Sequence, residues 1–99
     1  MKKITLNAFI LEQKKNDPEF VEHYQRELLI NEISRIVVNL RKSAHLTQEE
    51  LAKKASTTQP VIARIESGTD NRIPSLELLA RIAQASHAKL HLSFEQEKK

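Results

Sequence analysis

Side chains able to hydrogen-bond a base edge or a phosphate crowd one stretch of the chain, TQEELAKKASTTQPVIARIES, running from Thr47 to Ser67. A glutamine can pair with the edge of adenine, and an arginine can reach O6 and N7 of guanine. Gln59 is the candidate for the first role, and Arg64, one turn further on, for the second or for a phosphate. Pro60 and Ala63 share a helical stripe with Arg64 and Ser67, and offer apolar contact to a thymine methyl. Thr47, Gln48 and Thr58 fall where helices should begin, and free N–H groups at helix N-termini favour phosphate. Asn71 and Arg72, just downstream, are further candidate clamps on a phosphate backbone. Each of these residues also has an ordinary role open to it, as solvated surface.

Two short helices joined by a tight turn would position this set. Thr47 with Glu50 three residues on is a capping box, and Leu46 and Leu51 make the matching hydrophobic staple. Leu51, Ala52 and Ala55 form an inward stripe, with Ala52 small enough for a second helix to cross closely. Ser56 to Thr58 make the turn, and either threonine can cap the second helix. In that helix Val61, Ile62 and Ile65 point inward. Pro60 is acceptable in the first turn, where no helical hydrogen bond is lost. Gly68, the single glycine of the chain, closes the helix. The spacing and packing logic are those of a helix-turn-helix; the competing interpretation is an αα-hairpin inside a purely structural bundle.

The totals bound the rest. Ninety-nine residues make one domain with a modest core, and 16 Lys and Arg against 13 Asp and Glu leave a formal charge of +3. That balance suits a DNA partner without arguing for one unaided. The absence of cysteine removes disulfides and thiolate metal sites. No run approaches the roughly 20 apolar residues of a membrane span, and no signal-peptide core opens the chain. The expectation is a soluble cytoplasmic protein, nucleoid-associated when on DNA, with no membrane partner and no small-molecule substrate. Enzyme chemistry finds no support: there is no Gly-rich phosphate loop, no nucleophile elbow and no convincing carboxylate pair. His87 and His91 have i,i+4 spacing, but the pattern between them is a strand's and no third ligand is near, so neither a metal site nor any other cofactor is expected.

Toward the N-terminus, Leu6, Phe9 and Ile10 sit at helical spacing, although ITLNAFIL also alternates as a strand would; a short helix is favoured. Asp17-Pro18-Glu19 starts a second helix, expected to run to about Glu27 with Phe20, Tyr24 and Leu28 on one side. Ile33, Ile36, Val37 and Leu40 form a further amphipathic run, and the pattern leaves open whether a break falls between Leu28 and Asn31. His45 lies where a left-handed closing residue is needed. Beyond the polar TDNRIPS loop, Ser75 caps a helix whose inward residues are Leu76, Leu79, Ile82 and Ala83. The period then changes: Leu90, Leu92 and Phe94 alternate with Lys89, His91 and Ser93, as in a half-buried strand. A lone strand among helices needs a partner, and the simplest is its own copy in a second chain. A homodimer would also suit paired half-sites on DNA. The alternative is an extended tail packed on the core.

At LTQEELA and ARIESG the sequence resembles the Xre-type repressor family of phage and bacterial DNA-binding domains, over Ile33 to Ser86. Ser56 departs from the family, which usually has glycine at that turn. The resemblance implies that the positions of Gln48, Gln59 and Arg64 contact double-stranded operator DNA, and that Arg41 and Glu66 form an ion pair steadying the motif. The whole chain, through NDPEFVEHY, LTQEELAKKASTTQPVIARIESG and KLHLSFE, is similar to one subgroup, the HigA-type antitoxins. By implication the chain would neutralise a HigB/RelE-like mRNA-cleaving toxin and repress the shared operon as a dimer, with Leu6, Phe9, Ile10, Phe20 and Tyr24 at the toxin interface. Residues 1–30 carry five basic and five acidic side chains, so charge alone does not recommend them to a basic partner. The expected fold is all-α, about five helices, with an N-terminal helical extension over 1–30, an Xre-type helix-turn-helix domain over 31–88, and a dimerising strand (Leu90, Leu92, Phe94) and tail over 89–99. Two other functions remain open: a stand-alone Xre-type regulator, and a protein-interaction module whose motif no longer binds DNA.

Overall fold

The computed structural model describes residues 18–96. The expected N-terminal helix, with Leu6, Phe9 and Ile10, lies outside that range. Among the described residues there are four helices: α1 (Pro18–Ser43), α2 (Gln48–Lys54), α3 (Gln59–Ser67) and α4 (Leu76–Ala85).

Helix α1 begins as Pro18 and Glu19 predict, with proline where no donor is needed and an acid at the positive end of the helix dipole. It does not stop near Glu27. The 26-residue helix passes straight through Leu28–Asn31, because that stretch holds neither glycine nor proline and nothing terminates it. Its buried residues, Ile30, Ser34 and Val37, stand at i, i+4, i+7. Ile36, expected inward, lies beside that stripe and is half exposed. In the first half, the rings of Phe20 and Tyr24 stack one turn apart, centroids 5.9 Å from each other.

The core is aliphatic and small: Val37 from α1, Leu51, Ala52 and Ala55 from α2, Ile62 and Ile65 from α3, and Ile82 from α4. Helix α3 packs on both α1 and α2, and α2 packs on α4. Ala52 is 3% exposed at the α2–α3 crossing, where a larger side chain would push the helices apart. Leu76, expected inward, is exposed; it is the first residue of α4 and falls before the turns that α2 covers.

Three of the four helices end on a left-handed residue that is not glycine: His45 (φ 59°), Ser56 (φ 57°) and His87 (φ 62°). All three close by one pattern. At Ser56, its N–H donates to the Lys53 carbonyl and the Thr57 N–H to the Ala52 carbonyl; His45 with Leu46, and His87 with Ala88, repeat the pair. Two otherwise orphaned carbonyls are satisfied at each end, which offsets the ~1–2 kcal/mol of left-handed strain at a residue bearing Cβ. Helix α3 ends on Gly68 (φ 70°). A Cβ there would meet Asn31 Oδ1 and Ser34 Oγ at 3.3 Å, so glycine also allows the chain to pass close to α1.

The C-terminal strand is not formed. Residues 88–96 carry no strand, and Leu92 and Phe94 are exposed while Leu90 is half-buried. A strand needs a ladder partner, and no described segment of this chain supplies one. No described helix is long and apolar enough to cross a membrane.

Candidate nucleic-acid interface

The capping box at Thr47 sets the direction of α2. The Thr47 hydroxyl accepts from the Glu50 N–H at 3.1 Å, and the Thr47 N–H donates to the Glu50 carboxylate at 2.8 Å. That hydroxyl caps the helix end as an acceptor and keeps its own O–H as a donor. Thr58 occupies the matching position of α3 without a side-chain cap, and Pro60 sits in the first turn. Across α3, Ile62 and Ile65 are buried, whereas Gln59, Pro60 and Ser67 are exposed and Ala63 is half-buried. A polar row with small apolar residues therefore faces away from the core.

Gln59 is held from behind. Its side-chain amide donates to Gln48 Oε1 at 2.9 Å, and Gln48 donates in turn to Glu66 Oε1 at 3.0 Å. Glu66 ends on Arg41, which donates from Nε to Oε2 at 2.7 Å and from Nη2 to Oε1 at 3.1 Å. A third guanidinium donor reaches the Leu46 carbonyl at 2.8 Å. Four residues from α1, α2 and α3 thus form one chain of bonds, and a bidentate arginine–carboxylate pair fixes its inner end. The Glu66 side chain is 6% exposed. Burial by itself would raise its pKa, but hydrogen bonds from Arg41 and Gln48 outweigh that and hold the carboxyl below its usual range. The hydrogen bond to Glu66 likewise raises Arg41.

Three further contacts brace the motif, and none was legible in the sequence. Ser34, buried on α1, donates to the Glu66 carbonyl at 2.6 Å, satisfying one of the free carbonyls at the end of α3. Arg81 on α4 donates to the Ala55 carbonyl at 2.8 Å and closes α2. Arg26 on α1 donates to the Asn71 carbonyl at 3.2 Å. Each joins residues far apart in sequence, so no spacing rule exposes it.

The loop after α3 gathers the remaining candidates. Ser67 donates to the Arg64 carbonyl at 2.7 Å. Arg64 Nε lies 3.3 Å from Asp70 Oδ2. Arg72 grips the same carboxylate with Nε at 3.1 Å and Nη2 at 2.8 Å, and its backbone N–H adds a bond at 2.8 Å. Hydrogen bonds from the Arg72 side chain and backbone hold the Asp70 carboxyl down to about 2. Asn71 and Arg72 are exposed. Arg64 and Arg72 therefore share a carboxylate, whereas Gln48 and Gln59 belong to the Glu66 network. Phe20 and Tyr24 lie on the first half of α1, and among the described residues no group of three His, Cys, Asp or Glu is placed to hold a metal ion.

Two short helices crossing at a tight turn, the second with an exposed hydrogen-bonding face, define a helix-turn-helix. Residues 38–85 match the model of the family described as Helix-turn-helix, a segment that opens inside α1 and closes with the last residue of α4. The match supports the kinship with Xre-type domains and suggests a sequence-specific DNA-binding regulator. No curated protein and no solved structure matches the chain.

Proposed function

We propose that the chain reads operator DNA as a dimer through α3, represses its own operon, and doubles as the antitoxin of a HigB/RelE-like toxin. The observation that carries the DNA reading is the outward face of α3, with Gln59 exposed at its leading end and tied back through Gln48 and Glu66 to Arg41. A side chain already held in place loses less rotamer freedom when it meets a base. In this reading Gln59 pairs with adenine, Arg64 reaches guanine or a phosphate, and Pro60, Ala63 and Ser67 line the groove. Thr47, Gln48, Thr58, Asn71 and Arg72 follow the phosphates.

The exposed Leu92 and Phe94 with half-buried Leu90 suit pairing with the same segment of a second copy, which would bring two α3 helices onto one duplex. Residues 1–30 would form the toxin-binding extension, 31–88 the DNA-binding domain and 89–99 the dimerising tail. The antitoxin role rests on the family resemblance, with Phe20 and Tyr24 on the first half of α1. The stand-alone regulator is favoured by a different observation: Arg26 ties that half of α1 to the domain's own loop at Asn71.

The test starts from a duplex enriched out of a random pool by the wild-type chain. Its affinity should fall steeply between ~50 and ~200 mM salt, by about 0.9 log units per log unit of salt for each phosphate neutralised. Gln59→Ala should cost about 1–3 kcal/mol and relax the choice of base at one position per half-site. Binding that ignores salt would point to a protein-interaction module instead. For the antitoxin role, deletion of residues 1–16 should weaken capture of the toxin encoded in the adjoining reading frame while leaving duplex affinity within about twofold, inside the usual scatter for a remote change. Equal capture by the truncated chain would favour the stand-alone regulator.

A further inference from the structure

The carboxylate of Asp70 stands where a DNA-binding surface has least use for negative charge. Its two guanidinium neighbours come from different elements, Arg64 from α3 and Arg72 from the following loop. Gly68 makes the meeting possible: its left-handed φ of 70° and its close passage by Asn31 and Ser34 turn the chain back toward Arg64. The Arg72 backbone N–H then bonds Asp70 Oδ1 at 2.8 Å, fixing the carboxylate from its own loop. Both arginines stay accessible, with side chains 36% exposed for Arg64 and 67% for Arg72.

Ion pairs this exposed contribute little to folding, so stability does not account for the arrangement. Charge and direction do. The three side chains together carry one net positive charge instead of two, and a bidentate carboxylate holds an arginine in one orientation. On a surface facing a polyanion, the lost charge weakens binding to any sequence, while the fixed geometry keeps contacts that need a set position.

We infer that Asp70 is a positioning residue of the DNA-facing surface: it aligns Arg64 and Arg72 and offsets one of their charges, so that specific contacts gain over indiscriminate phosphate binding. The inference rests on the proposed DNA-reading role of α3.

Asp70→Asn and Asp70→Glu are compared with the wild-type chain on two probes, the enriched duplex and a scrambled duplex of equal composition. Asp70→Asn should bind the scrambled duplex about 5–10-fold tighter at ~0.1 M salt, with a salt slope steeper by about 0.9. The enriched duplex should gain less, so discrimination narrows, and Asp70→Glu should restore most of it. Proton exchange at the Arg72 Nε–H, followed by NMR without DNA, should be slower in the wild type than in Asp70→Asn. Unchanged slope and discrimination in Asp70→Asn overturn the inference. So does exchange as fast in the wild type as in Asp70→Asn, or an equal loss on both duplexes that Asp70→Glu shares. If the pool yields no duplex at all, the reading of α3 fails and takes this inference with it; if a duplex is enriched and only the Asp70 effects are missing, the inference fails alone.

Discussion

Ile62→Ala should lower the stability of the folded chain by about 3–4 kcal/mol, within the range measured for emptying a full-sized aliphatic site. Ile62 is 0% exposed and lies on the one helix that packs against both α1 and α2. The cavity would have no easy way to collapse, because the facing residues Ala52 and Ala55 are too short to fill it. Domains of this size hold only about 5–15 kcal/mol in total, so the variant should melt some 12–25 °C lower by circular dichroism. Ile36→Ala makes the control, since the same chemistry at a site 49% exposed should move the midpoint far less. Equal shifts for the two would mean that α3 does not sit where the core places it.

Local chemistry made the motif legible. The capping box needs only Thr47 and Glu50, and both of its bonds are present; Ser75 caps α4 for the same reason, accepting from the Leu78 N–H. Pro60 and Gly68 each have one comfortable place in a short helix, and α3 uses both. Tertiary context decided what the sequence left open. LLIN holds no residue that stops a helix, which permits continuation without requiring it, and α1 runs through it. Leu76 and Ile36 satisfy a helical stripe by spacing, yet which turns a neighbour covers depends on where that neighbour lies. The C-terminal alternation KLHLSF is a strand pattern, but no described segment of the chain pairs with it, so no strand forms there.

The site divides in the same way. Gln59, Pro60 and Ser67 could be placed on the outer face of α3 from periodicity alone. Asp70 could not, since its role depends on a left-handed turn at Gly68 and on two arginines reached through space. Ser34 gives no signal within its own segment, yet it is buried and carries a bond across 32 residues to Glu66. Even Thr47 shows the limit: the residue type suits a phosphate contact and a helix cap equally, and in the folded chain its hydroxyl oxygen accepts the cap bond.

Glu66→Ala should be the second most costly substitution, and it should act on binding as well as on folding. Removing the carboxylate leaves the Arg41 guanidinium, 16% exposed, without its bidentate partner. Exposed pairs contribute at most about 1 kcal/mol and broken buried ones cost about 3–5, so a pair with one edge open to solvent should lose about 2–3 kcal/mol. Arg41→Met with Glu66→Leu should cost less than the two single changes added together, because the double variant leaves no charge unpaired. The pH dependence has a fixed sign. The folded state holds the Glu66 carboxyl below its ordinary 4.5 and the Asp70 carboxyl down to about 2. Glu66 therefore adds stability above its unfolded value and loses it as pH falls through the folded one, whereas the exposed Asp70 pairs add little. Urea midpoints of the wild-type chain should drop as the pH falls below about 5, and Glu66→Ala should show a shallower drop. On the enriched duplex, Glu66→Ala should relax base choice at the Gln59 position even under conditions where the variant is fully folded, since Gln48 and Gln59 lose the group that anchors them. Full discrimination in a folded Glu66→Ala chain would show that Gln59 needs no such support, and that the network serves the fold alone.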